Sequence, residues 1–207
     1  MESADLSKNN ILYVEDAEFS SELTSSLLSA EHSTQFAEST FSFSSNSRLL
    51  AYLCFSVAEV IGLTVGEETT HQETYLFARN SRLLGEVSAT MKLEGDMAAR
   101  VAVSFPGDLA RLLTGRMVGS PPGDLAEEDL RDSVGELVNQ ISGRARTYFN
   151  EAGRGIKIGL PEIHCGDEIA FGFEEDSSCY ALIFGCLGFR FALQVSPTAS
   201  VPITETD

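Results

Sequence analysis

The residues able to do chemistry together lie between Asp132 and Gly143, where the chain reads Asp-Ser-Val-Gly-Glu-Leu-Val-Asn-Gln-Ile-Ser-Gly. On a helix, at about 100° per residue, Leu130, Val134, Leu137, Val138 and Ile141 share a stripe as wide as a core-facing side. Asp132, Glu136, Asn139 and Gly143 gather near the opposite pole. The helix therefore buries one side and turns two acids and an amide outward together. Gly143 leaves that outer side without bulk, so another molecule could approach the backbone closely. A glycine inside a helix costs about 1 kcal/mol relative to alanine, which calls for a reason. Geometry alone leaves open whether this side meets a partner or only solvent, and the spacing names no reaction.

Elsewhere the chemical residues are sparse. No Ser/His/Asp or Cys/His signature is present. His164-Cys165 is at most half of a metal site, with no second half in view, and no metal is expected. Cys54, Cys165, Cys179 and Cys186 lack C-x-x-C spacing and read as reduced, packed thiols.

The elements around this run follow from hydrophobic periodicity. Leu49, Leu50, Leu53, Val57, Val60 and Ile61 predict a helix over 48–62 that ends at Gly62. Strands are expected at 85–93 and 98–105, joined by a hairpin at Lys92 to Asp96. Pro106-Gly107-Asp108 opens a second helix through Leu109, Leu112, Leu113 and Val118. After a Pro/Gly loop at 119–123, Asp124 or Glu127 begins a long helix reaching about Glu151. Four strand-like runs follow, at 156–163, 168–173, 179–184 and 189–195, the last two joined by Gly185-Cys186-Leu187-Gly188. This order implies an α+β fold, an antiparallel sheet with helices packed on one face, one of them long and bearing the Asp132–Gly143 run.

Asp132-x-x-x-Glu136-x-x-Asn139, with its flanks, resembles the signature of the CheC/CheX/FliY phosphatases of bacterial chemotaxis. Pro161 stands at about the distance where that family places a proline, and Gly85-Glu86-Val87 and Val101-Ala102-Val103-Ser104-Phe105 look like CheX strands. The resemblance covers about residues 48 to 196. CheC-type members carry the Glu-x-x-Asn pair on two helices and CheX-type members on one. Here the first helix offers Glu59-Val60-Ile61-Gly62, with glycine where the amide should stand, so the chain is similar to the CheX type.

The resemblance implies a substrate, an aspartyl phosphate on a CheY-like response-regulator receiver domain, and a mechanism. Asn139 would fix a water in line with the leaving carboxylate, and Glu136 would pair with the receiver's lysine. Asp132 and Gly143 would belong to the docking face. No cofactor of the chain's own is implied, because the receiver brings its own magnesium ion. A homodimer is also implied. The alternative is a non-catalytic receiver-binding or dimerisation module in the same kind of signalling, although an adhesive surface has no need of the Asn139 amide.

Charge narrows the partners. Against 14 Lys and Arg stand 31 Asp and Glu, a net charge of −17, so there is no basic stripe to displace counterions from nucleic acid or to meet an anionic membrane. The start, Met1-Glu2-Ser3-Ala4-Asp5, lacks the basic and apolar regions of a signal peptide. The apolar stretch Leu49 to Ala58, ended by Glu59, is too short to cross a bilayer. A cytoplasmic protein is expected. Three segments are read: an acidic, Ser-rich 1–47, a CheX-like domain at 48–196 and a polar tail at 197–207. Within the first, Asn10 to Ala17 ends in paired acids, as the opening strand of a receiver domain does. It reads either as a short amphipathic strand or as a receiver remnant.

Overall fold

The structure, a computed structural model, describes residues 11–12, 45–78, 82–166, 171 and 178–198. The elements in chain order are β1 (Ile11–Leu12), α1 (Ser45–Val65), β2 (Thr70–Ala78), β3 (Val87–Gly95) and β4 (Ala99–Phe105). Then come α2 (Gly107–Val118), a single 3-10 turn (Pro122–Asp124) and α3 (Glu127–Glu151). The last four strands are β5 (Ile156–Ile158), β6 (Glu162–Cys165), β7 (Ser178–Cys186) and β8 (Phe189–Pro197).

The strands form one sheet in the order β1-β2-β7-β8-β4-β3, and the outer edge of β3 is shared by β5 and β6. Every pairing is antiparallel. Alternation then sorts the side chains. Val87, Ala89, Met91 and Leu93 of β3 and Val101, Val103 and Phe105 of β4 join Leu53 and Val57 of α1, Leu109 and Leu113 of α2, and Leu137 and Ile141 of α3 in one buried core. On the sheet's second face a smaller cluster collects Leu83, Ala102, Phe171, Cys179 and Ala181. Buried Gln194 fastens the approach to β3 across that face, donating from Nε2 to Arg82 O (2.9 Å) and accepting from Leu84 N–H (3.2 Å). Among the described residues this is an α+β fold: an antiparallel sheet carrying three helices on one face.

The first helix runs past its expected end. Gly62 sits inside it, and the stop is Gly66, whose φ of 73° no side-chain-bearing residue adopts cheaply. The Gly66 N–H closes on Gly62 O (2.8 Å), and Arg116 of α2 donates from Nη1 to the terminal carbonyl of Val65 (2.9 Å). Arg48–Val65 is therefore long and apolar enough to cross a membrane by length and composition, with mean hydropathy 1.7, unlike the shorter stretch read from the sequence. Half of that window is buried inside the protein, and Glu59 in its middle is ion-paired, as suits a core helix.

Three other departures have local causes. Strand β2 has no counterpart in the sequence reading, because its first half, Thr-His-Gln-Glu-Thr, shows no apolar alternation; pairing with β7 makes it a strand, with a bulge between His71 and Glu73. The expected run at 156–163 is two strands on either side of an irregularity at 159–161. The β7–β8 turn is tighter than four residues. Cys186 pairs with Phe189, and Leu187 (φ 52°) with Gly188 (φ 79°) makes the left-handed two-residue turn that suits strand twist. The expected strand at 168–173 lies outside the described residues except for Phe171, and the readings of 1–47 do so except for Ile11–Leu12, which pair with β2, and the start of α1.

Candidate functional site on helix α3

Helix α3 begins where sequence chemistry allows it. Glu127, Glu128 and Asp129 fill its first turn, where carboxylates meet the positive end of the helix dipole, and Asp129 Oδ2 accepts the Ala126 N–H at 2.9 Å. Its buried residues include Leu130, Val134, Leu137, Val138 and Ile141, the stripe expected from periodicity.

Two flanks fix how the helix is rolled. On the sheet side, Gly135 meets Ile163 of β6; a Cβ added to it would lie 3.5 Å from Ile163 Cδ1. Seven residues on, Ser142 Oγ lies 2.6 Å from Val138 O and 2.6 Å from Met91 Sδ of β3. Seven further, Phe149 is fully buried. On the α1 side, the Glu59 carboxylate takes Arg144 Nε at 2.6 Å and the Tyr148 hydroxyl at 2.9 Å. The Arg144 guanidinium lies 4.9 Å over the Tyr148 ring, and Tyr52 stacks on Tyr148 while meeting Phe149 edge-on. Burial first, then the bond to Glu59, pushes the Tyr148 phenol above its ordinary pKa. The Glu59 bond likewise raises that of Arg144.

Held between these flanks, the outward side of α3 carries the residues singled out from the sequence. Asp132, Glu136 and Asn139 are exposed, and Gly143, half-buried by its own helix, has nothing within 4 Å of the place a Cβ would occupy. Glu136 Oε1 accepts from Gln140 Nε2 at 3.0 Å, while among the described residues the Asn139 amide has no hydrogen-bond partner. The Gln140 contact was not anticipated, although its position one turn after Glu136 is a signal for it. Asn139 thus presents an unpartnered donor and acceptor to whatever approaches, one turn from a carboxylate that accepts from Gln140.

Glu59 and Gly62 of α1 are taken up by packing. Glu59 is spent on Arg144 and Tyr148. A Cβ at Gly62 would lie 3.2 Å from the Glu67 carbonyl oxygen, so a side chain there would run into the turn after α1. His164 and Cys165 do not converge on a ligand position, being adjacent in a strand and so on opposite faces. His164 Nε2 lies 3.0 Å from Thr90 Oγ1 across the sheet. Cys54, Cys179 and Cys186 are buried thiols, as expected, and burial pushes Cys54 up to about 12. Cys165 departs from that reading, because it sits on the edge strand and is exposed.

Comparison with known proteins finds the same helix-backed antiparallel sheet elsewhere. Residues 87–185 match the family model described as chemotaxis phosphatase CheX. A solved CheX from Desulfovibrio desulfuricans is similar in fold at 22% identity, covering 72% of this chain and 99% of that one, with a TM-score of 0.64. A CheC-like superfamily protein from Shewanella sp. PV-4 shows 19% identity over 73% of this chain and 98% of that one, TM-score 0.64. The CheX of a CheX-CheY-BeF3-Mg complex from Borrelia burgdorferi shows 15% identity over 72% and 97%, TM-score 0.58. No curated protein matches the chain. Over residues 87–185 the chain is similar to the CheX family, and it shares the fold of solved CheX and CheC-like proteins.

Proposed function

We propose that this protein hydrolyses the aspartyl phosphate of a CheY-like response-regulator receiver domain. The observation that carries the reading is the unpartnered, exposed amide of Asn139, three residues after Glu136 on a ridge that the rest of α3 anchors from behind. The description of the matched family as a chemotaxis phosphatase, and a fold shared with a CheX solved in complex with CheY, support it.

In this reading a receiver's active site already holds its magnesium and lysine, which stabilise the transferring phosphoryl group; what it lacks is a placed nucleophile. Asn139 enters that pocket and holds one water through its amide oxygen and nitrogen. The water oxygen bonds to phosphorus as the bond to the aspartyl oxygen breaks, giving inorganic phosphate and a free carboxylate. Glu136 pairs with the receiver's lysine and sets the depth of entry, Asp132 adds a charge contact, and bare Gly143 lets the receiver's surface come close. No nucleophile or metal of this chain takes part. We further infer that the protein works in the cytoplasm as a homodimer within two-component signalling.

The test is loss of label from phosphorylated receivers of the same genome, with magnesium, in the presence of wild type or Asn139→Ala. Faster loss with wild type alone supports the proposal. Binding without acceleration by wild type replaces it with the non-catalytic receiver-binding reading.

A further inference from the structure

Two of the described large apolar side chains are strongly exposed, Leu63 at 76% and Leu160 at 89%. Leu63 lies near the end of α1, whereas Leu160 lies in the irregularity between β5 and β6.

Strand β3 fixes where Leu160 stands. Leu93 pairs with Ile158 and Thr90 pairs with Glu162, so Gly159, Leu160 and Pro161 face only Met91 and Lys92. The Gly159 N–H takes the Lys92 carbonyl at 2.9 Å, which leaves Leu160 and Pro161 together opposite Met91. This is a bulge, the device by which an edge strand re-aims a side chain. It is pinned by a backbone hydrogen bond on one side and by proline's fixed φ on the other. Met91 points to the helix face, where its sulfur touches Ser142 of α3. Ser142 is three residues after Asn139 and one before Gly143, and Gly135, which packs on Ile163 of β6, is on the same flank. The β5–β6 bulge therefore runs beside the stretch of α3 that carries Asn139 and Gly143, on the flank away from α1, and Leu160 is exposed on it.

We propose that Leu160 is the apolar anchor of the receiver contact: it seats against an apolar surface beside the receiver's phosphoryl pocket while Glu136 and Asn139 enter the pocket itself. This rests on the phosphatase reading and deepens it by adding a docking residue that takes no part in the chemistry. The division of labour has a physical basis. Charged contacts at a solvated edge contribute little net affinity, whereas burying a leucine side chain is among the larger single contributions a small contact can have. A pinned bulge also presents that side chain with little ordering cost on binding.

The test is saturation kinetics of phospho-receiver hydrolysis for wild type, Leu160→Ser, Leu160→Met and Leu63→Ser, with the oligomeric state measured on the same samples. Leu160→Ser is expected to raise KM about tenfold with kcat unchanged. Leu160→Met, which keeps the apolar volume, and Leu63→Ser are expected to match wild type. Unchanged KM in Leu160→Ser overturns the inference while leaving the phosphatase reading standing. Conversion of a dimer to a monomer by Leu160→Ser also overturns it, by assigning the residue to the contact between two copies. Absence of hydrolysis by the wild type overturns the phosphatase reading, and this inference with it.

Discussion

Replacing Gly143 with alanine should make the protein more stable and less active. Gly143 lies in the interior of α3 at an ordinary helical φ, with nothing within 4 Å of an added Cβ. The substitution therefore meets no steric opposition, and the helix recovers the roughly 0.8–1.0 kcal/mol that separates glycine from alanine. In a domain of this size that corresponds to a rise in Tm of about 2–4 °C. Two other helical glycines calibrate the measurement. At Gly135 the added Cβ makes an ordinary 3.5 Å contact with Ile163, so Gly135→Ala should gain a similar amount. At Gly62 the Glu67 carbonyl oxygen is 3.2 Å away, so Gly62→Ala should gain less or lose. Urea unfolding of the three variants gives the order, and phospho-receiver hydrolysis gives the other half. If the receiver's surface approaches the bare backbone at Gly143, Gly143→Leu should lower kcat/KM at least tenfold, a loss on the order of 1.4 kcal/mol of transition-state stabilisation, while remaining folded. Destabilisation by Gly143→Ala would mean that this side of α3 is packed rather than open. Full activity of Gly143→Leu would remove Gly143 from the docking face.

Arg144→Ala should cost roughly 1 kcal/mol or less, because the ion pair with Glu59 is more than a third exposed and only the ring contact with Tyr148 adds to it; chemical denaturation checks this, and a loss of several kcal/mol would contradict it. Stability should decline as the solution becomes alkaline. Cys54 rises from 9.0 to about 12 in the folded protein, and the Tyr148 phenol is raised above 10.0. The folded state thus holds both protons more tightly than the unfolded chain, and the stability they contribute is complete below pH 9. It is lost between about 9 and 12 for Cys54 and above 10 for Tyr148. The gap in unfolding free energy between wild type and Tyr148→Phe should narrow above pH 10, and a constant gap would refute the assignment. Among the four thiols, Cys165 should react first and rapidly with a disulfide reagent under native conditions, with the buried three reacting on unfolding. A Cys165→Ser protein that still reacts rapidly would show that another cysteine is accessible.

Where a residue's fate is decided by its own helix, the sequence was a sufficient guide. The apolar stripe from Leu130 to Ile141 and the ridge from Asp132 to Gly143 follow from 3.6-residue periodicity, and the described helix keeps both. Elements decided by distant partners were not legible. Strand β2 owes its conformation to β7, a hundred residues further on, rather than to any alternation of its own. The break between β5 and β6 arises because three residues must face two on β3, which no local pattern announces. The same holds around the site. Glu59 and Arg144 are 85 residues apart, so the contact that helps set the roll of α3 emerges only from the packing of α1 on α3. Cys165 looked like the other thiols until the sheet placed it on an edge.

The central claim is that Asn139 acts on the water and Glu136 on docking, and one experiment separates the two. A receiver that the wild type dephosphorylates is phosphorylated, and single-turnover hydrolysis is followed at saturating Asn139→Ala. Binding of the same variant to the beryllofluoride- and magnesium-activated receiver is measured in parallel. The account predicts a loss of about a hundredfold or more in the hydrolysis rate with binding close to that of wild type. Hydrolysis by Asn139→Ala at the wild-type rate would contradict it.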